Sequence, residues 1–264
     1  MFSQANLESL LKRDRLVVSA CVTAATLIAA YYILTGAGMG MTAVQMTTSM
    51  THMGAAMPKE WTLAHALAMF IMWWVMMVAM MLPSATPVIL LAAALNRRSK
   101  SEVAPYGSAA AFTLGYLLAW ALFSLVAVGL QYWLERMGML SMHMESVSGV
   151  LTGSLLLAAG AWQLSPMKYA CLKHCRSPVD FLTRNRKPGT LGALYMGGHH
   201  GLYCLGCCWF LMALLFAGGV MNLYWIVGLA IFVFAEKVLT VGNGLGRMAG
   251  VGLLVWGVVV LVRL

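Results

Sequence analysis

The sequence predicts an all-α fold: a polytopic transmembrane helix bundle of about seven spans with its N-terminus in the cytoplasm. Three observations carry this. Of 264 residues, 61% are hydrophobic and only 9% charged, and the mean hydropathy is +0.83; a soluble domain carries about 25% charged residues. Uncharged apolar runs of span length recur along the chain. The basic residues fall between those runs. A barrel is excluded because no segment alternates with period two over the length of a barrel strand.

The chain reads as one integral membrane domain over residues 1–264, with spans expected near 16–35, 63–83, 106–132, 146–164, 200–218, 221–238 and 245–262. Lys12, Arg13 and Arg15 precede the first apolar run. That run outlasts a signal-peptide core and no small-x-small cleavage site follows it, so a retained first span is expected. With the N-terminus inside, 14 Lys and Arg residues are cytoplasmic and three, Lys59, Arg136 and Arg263, are external; the lopsided split puts the C-terminus outside. The net charge of +9 is thereby a property of cytoplasmic connections facing lipid headgroups, and no nucleic-acid partner is expected. The partners this composition implies are the lipid bilayer, a metal ion, and other membrane subunits or further copies of the chain.

The chain has 22 methionines, too many for apolar filling to be the first explanation. The loop 36–61, external in this topology, carries Met39, Met41, Met46, Met50, Met53 and Met57 with His52. The second external loop runs from Met137 to Glu145 and holds Met139, Met142, His143 and Met144. Thioether needs no deprotonation and forms no disulfide, so it suits an oxidising side, and as a soft ligand it favours copper over zinc. Adaptable packing explains such loops equally well. In the second span, His65, Met69, Met72, Met76 and Met80 follow steps of 4, 3, 4 and 4. On a helix they share an arc of roughly 80° and form either a packing stripe or a thioether ladder. Pro83 and Pro87 each remove a helical donor, so a kink or break is expected there, with 84–95 continuing as a tilted piece.

Spans three and four carry little chemistry. The longest cytoplasmic connection is expected over 165–196, and the Cys/His region extends over 165–208. It holds Cys171, His174 and Cys175, and then Gly-Gly-His199-His200-Gly-Leu-Tyr-Cys204-Leu-Gly-Cys207-Cys208-Trp. On a helix, His200, Cys204, Cys207 and Cys208 fall within roughly 100° of one face. Imidazole and thiolate are the ligands Zn²⁺ and copper prefer, and thiolates persist where glutathione keeps them reduced. The competing reading makes these cysteines small buried hydrophobes. Glu236 is either the partner of Lys237 or Arg247, or a carboxylate ligand or proton acceptor beside the thiols. Gly242, Gly246 and Gly250, spaced by four, form a face that lets helices approach closely. No P-loop, dinucleotide fingerprint, HExxH, serine-nucleophile elbow or CxxCH haem motif occurs.

The stretch Met72-Trp-Trp-Val-Met-Met-Val-Ala-Met-Met-Leu-Pro83, the stretch Lys168–Pro178, and the stretch Gly198–Met212 continuing through Met221-Asn222 to Glu236-Lys237 resemble a bacterial family of uncharacterised, predicted metal-binding integral membrane proteins, a domain of unknown function. The resemblance runs from the second span onward and leaves out the loop 36–61. It implies a multi-pass protein of the bacterial inner membrane that binds a metal.

Together these readings point to copper handling. Cu(I) would be collected by the external Met and His residues, passed along the second span, and held by His200, Cys204, Cys207 and Cys208 with Cys171 or Cys175. His199 and His174 are further candidate ligands. No catalytic residue is expected. Two alternatives remain: a metal-containing subunit of a membrane oxidase or monooxygenase, and a structural accessory subunit of a larger complex.

Overall fold

The computed structural model describes residues 4–48, 61–98, 105–141, 144–177, 182, 189–239 and 242–264. Within these residues the chain is helical: α1 (Gln4–Leu34), α2 (Ala43–Thr48), α3 (Leu63–Arg98), α4 (Pro105–Arg136), α5 (Gly149–Leu164), α6 (Pro166–Arg176), α7 (Gly189–Ala213), α8 (Leu215–Gly218), α9 (Leu223–Val238) and α10 (Gly242–Val262). The one β-type contact among them is an isolated antiparallel bridge between Leu140 and Ser146.

Five segments are long and apolar enough to cross a membrane: Arg15–Leu34, Leu63–Leu95, Gly107–Arg136, Gly189–Gly218 and Gly244–Val262. Such a set fits a multi-pass membrane protein. The other two expected spans are helical but short. α5 and α9 have 16 residues each, or about 24 Å at the α-helical rise, against a hydrocarbon core of about 30 Å.

Three sequence expectations change. The proline pair does not break the second span: α3 runs through Pro83 and Pro87 as one helix. Nearby groups secure that turn, since Ser84 Oγ donates to Met81 O at 2.8 Å and Tyr116 Oη to the same carbonyl at 3.3 Å. Helix-breaking residues are tolerated where such partners stand in for the ladder. The described residues of the connection 165–196 are largely helical. Ser165 caps α6 by accepting from Met167 N, with Pro166 in the first turn, where its missing N–H costs nothing. Third, α7 starts at Gly189, earlier than the expected 200. Gly189 has φ +81°, a left-handed conformation that glycine adopts freely.

The packing that matters for function is α4 against α7, with α3 on α4 and α6 on α7. Glycines set the α4–α7 distance. A Cβ on Gly115 would strike Leu194 O, one on Gly197 would strike Phe112 O, and one on Gly201 would meet Ala119 Cβ at 2.6 Å. The backbones therefore touch, as small-residue faces allow in the absence of a hydrophobic driving force between helices. On the other side, α5 and α10 approach in the same way. A Cβ on Gly160 would lie 2.9 Å from Gly250 O, and one on Gly257 would lie 3.1 Å from Gly153 O, so the glycine face expected on the last span includes Gly250.

Candidate metal centre

His200, Cys204, Cys207 and Cys208 lie on one continuous helix, α7, and all four are buried. The spacing argument holds: the four residues share the face that packs inward. Cys207 Sγ and Cys208 Sγ both donate to Cys204 O, at 3.0 and 3.1 Å. None of the six cysteines is in a disulfide.

α6 completes the cluster from a different segment. Cys171 and Cys175 stand four residues apart, so they share a helix face. Cys175 hydrogen-bonds with the thiols of Cys204 and Cys207, and the thiol of Cys208 reaches the same two. Cys204 and Cys207 are thus each linked to one thiol from α6 and one from α7. Cys171 covers Gly206: its Sγ lies 2.9 Å from where a Cβ at that position would be. Hydrogen bonding to Cys204 and Cys207 and then burial push the Cys175 thiol well above its ordinary range. Burial, with the neighbouring Cys207, pushes Cys171 up. In this conformation no three His, Cys, Asp or Glu side chains among the described residues are arranged to hold a metal ion. Ligation would require Cys207 and Cys208 to give up their bonds to the Cys204 carbonyl.

The surroundings of Cys204 were not legible in the sequence. Lys237 Nζ donates to Cys204 Sγ at 3.0 Å and to Ser84 Oγ at 3.0 Å, and Tyr116 Oη lies 3.1 Å from the same sulfur. Lys237, Tyr116 and Ser84 are all buried. Sequence reading offered Lys237 or Arg247 as the partner of Glu236. The structure instead pairs Glu236 with Lys168, deep in the protein. Lys168 also donates to Gln163 Oε1, and Arg176 donates to the Glu236 carbonyl at 2.6 and 3.0 Å. Arg247 lies over the Tyr169 ring. A buried cation and a buried carboxylate each need a partner, and here the adjacent residues 236 and 237 find theirs on different helices, Glu236 on α6 and Lys237 on α7 and α3.

The remaining histidines divide. His200 lies between Phe112 and Tyr116, each ring centre 6.0 Å away. His174 stacks on Tyr203 at 4.0 Å and contacts Ala170 O through Nδ1 at 2.9 Å. His199 packs edge-on against that same tyrosine at 5.0 Å. His174 and His199 are thus joined through Tyr203.

Towards the other end of α3, Met69, Met72, Met76 and Met80 are buried, as are Met77 and Met81. The stripe is interior, and it runs from Met69 to the turn at Met81–Ser84 that touches Tyr116 and Lys237. Met144 is also buried. His65 is half-buried, edge-on to Trp61 at 5.0 Å. Of the first methionine-rich loop, Met46 is buried, Met39 packs against the core and Met41 is exposed. Met50, His52, Met53, Met57, Met142 and His143 lie outside the described residues.

Long apolar helices around a buried thiol cluster define a helical protein with soft-ligand chemistry at its centre. The chain belongs to the copper chaperone family PpoB2, whose model matches residues 70–260. That match takes in both thiol segments and nearly all of the α3 stripe, and leaves the 36–61 loop outside. No curated protein and no solved structure matches the chain.

Proposed function

We propose that this chain is an integral protein of the bacterial inner membrane that takes up or delivers Cu(I), holding it at Cys204, Cys207, Cys208 and Cys175. The observation that carries the proposal is the placement of Cys175, from α6, against Cys204 and Cys207 of α7. Family membership supports the choice of copper. In this reading seven helices span the membrane, with the N-terminus cytoplasmic and the C-terminus external. The thiols then face the reducing side, where thiolates remain available to a soft cation. Cu(I) enters from the methionine-rich external side and follows the buried stripe Met69, Met72, Met76 and Met80 along α3. From Met69 to Met81 the helix rises about 18 Å, a large part of the hydrocarbon core. His200 is the nearest imidazole on the same face and serves as a further ligand. No bond of the protein is made or broken; the cation is cargo.

The decisive measurement is the copper-to-protein ratio of anaerobically purified protein after loading with Cu(I). Cys207→Ser is expected to lose most of the bound metal, because serine offers a hard, protonated oxygen. Cys21→Ser is expected to retain it, since Cys21 is exposed on α1. Equal ratios in the two variants, or no copper in the parent, would refute the site.

A further inference from the structure

At the end of α3 opposite the thiols, one side-chain amide is surrounded by two thioethers and a carboxylate. Gln131 Nε2 on α4 donates to Glu135 Oε1 at 2.8 Å and to Met144 Sδ at 3.0 Å, and contacts Met69 Sδ at 3.5 Å. An amide NH₂ has two hydrogens, so three acceptors converge on two donors. The amide is held in this orientation by Trp73 Nε1, which donates to Gln131 Oε1 at 2.8 Å. Gln131 and Trp73 are fully buried, and Met69 and Met144 nearly so. Thioether sulfur is a weak acceptor, and packing alone would be served as well by leucine.

The loop that delivers Met144 is shaped for that purpose. Met144 has φ +58°, a left-handed conformation that is uncommon for a residue other than glycine and costs on the order of 1 kcal/mol or more. The bridge between Leu140 and Ser146, the bond from Ser141 N to Glu145 O at 2.7 Å and that from Met144 N to Ser141 O at 2.9 Å pin the turn. The strained residue sends its side chain inward onto Gln131. Above it, Trp61 Nε1 donates to Glu135 Oε2 at 2.8 Å and packs against His65 and Tyr132, covering the carboxylate.

We propose that Met69, Met144 and Glu135 form a second, exchangeable Cu(I) site, a loading station whose place is kept by the Gln131 amide when copper is absent. The inference rests on the copper-handling reading above and names its entry point. The two thioethers suit a soft monovalent cation, the carboxylate offsets its charge, and no thiolate is present to retain it. Met69 is also the first methionine of the buried α3 stripe. Displacing the amide, at the loss of its bond from Trp73, frees all three acceptors at once.

The test is anaerobic Cu(I) titration of detergent-purified protein against a chromophoric Cu(I) chelator, with tryptophan emission followed in parallel. The Met69→Leu/Met144→Leu variant conserves volume and is expected to lose one weakly held equivalent while keeping the Cys207-dependent copper. Gln131→Met replaces the amide by a third thioether of similar length, and is expected to hold the weak equivalent at least tenfold more tightly. Quenching of Trp73 and Trp61 should accompany that equivalent and vanish in the double variant. Unchanged stoichiometry and affinity in the double variant, or no tightening in Gln131→Met, overturns the proposal. Should the double variant lose the Cys-dependent copper too, its fold is lost and Gln131→Met decides. If instead the thiol site is at fault, Cys207→Ser will match the parent while the methionine variants still differ from it.

Discussion

Lys237 Nζ is 3.0 Å from Cys204 Sγ, and both residues are buried. They are 33 positions apart and come from helices α9 and α7. An ammonium buried in a low-dielectric interior requires a compensating partner. Its neighbours are Cys204, Ser84 and, through the shared sulfur, Tyr116. In the proposed Cu(I) complex several thiolates would give the centre a net negative charge, and Lys237 is the cation positioned to offset it.

Lys237→Met is therefore expected to weaken Cu(I) at the thiol cluster by tenfold or more, with Lys237→Arg intermediate. Lys237 is also buried and hydrogen-bonded to Cys204 and Ser84, so part of the effect will fall on stability. Chelator competition on folded protein separates the two. Parent-like affinity in Lys237→Met would show that the ammonium serves packing alone.

Cys175 should react slowly with an alkylating reagent near neutral pH. Its thiol is pushed up by its bonds to Cys204 and Cys207 and by burial. A raised value leaves less thiolate at a given pH, and thiolate is the reactive form. The rate should keep rising above the pH at which an ordinary thiol has levelled off. Mass spectrometry of the peptide carrying Cys175, over a pH series, measures this. A profile like that of a free peptide thiol would contradict the cluster, and preloading with Cu(I) should suppress the reaction at every pH.

Gly115→Ala tests how the centre is positioned. The added methyl would meet Leu194 O and Gly198 N of α7, so the helices must separate. A destabilisation of about 1–3 kcal/mol is expected from overpacking, together with weaker copper retention, because Tyr116 is the next residue on α4. Gly129→Ala, where no heavy atom lies within 4 Å of the added carbon, should leave both unchanged. Thermal unfolding and the copper-to-protein ratio give the comparison.

Reporter fusions test the orientation on which the thiol and thioether assignments depend. Fusions after Leu34, Asn96, Glu135, Arg184 and Leu264 should read out, in, out, in and out. The same side for Arg184 and Leu264 would mean that α7, α9 and α10 do not make three crossings.

Helicity, the apolar segments and the composition of each helix face could be read directly from the sequence. Periodicity is a property of a single segment, and it correctly put His200, Cys204, Cys207 and Cys208 on one buried face and Met69, Met72, Met76 and Met80 on another. Segment lengths were less legible. The continuity of α3 past Pro83 depends on hydroxyls of Ser84 and Tyr116, one of them supplied by another helix. Which residues meet across helices was decided by tertiary structure alone. Glycines 115, 197 and 201 bring α4 and α7 into backbone contact, and this places Tyr116 on Cys204. The packing of α6 and α9 sets Cys175 and Lys237 beside the same sulfur and sends Glu236 to Lys168, while the packing of α3 on α4 lets Gln131 meet Met69. Such pairings leave no periodic trace in the sequence, because each joins different segments of the chain, and those contacts exist only once the helices have packed.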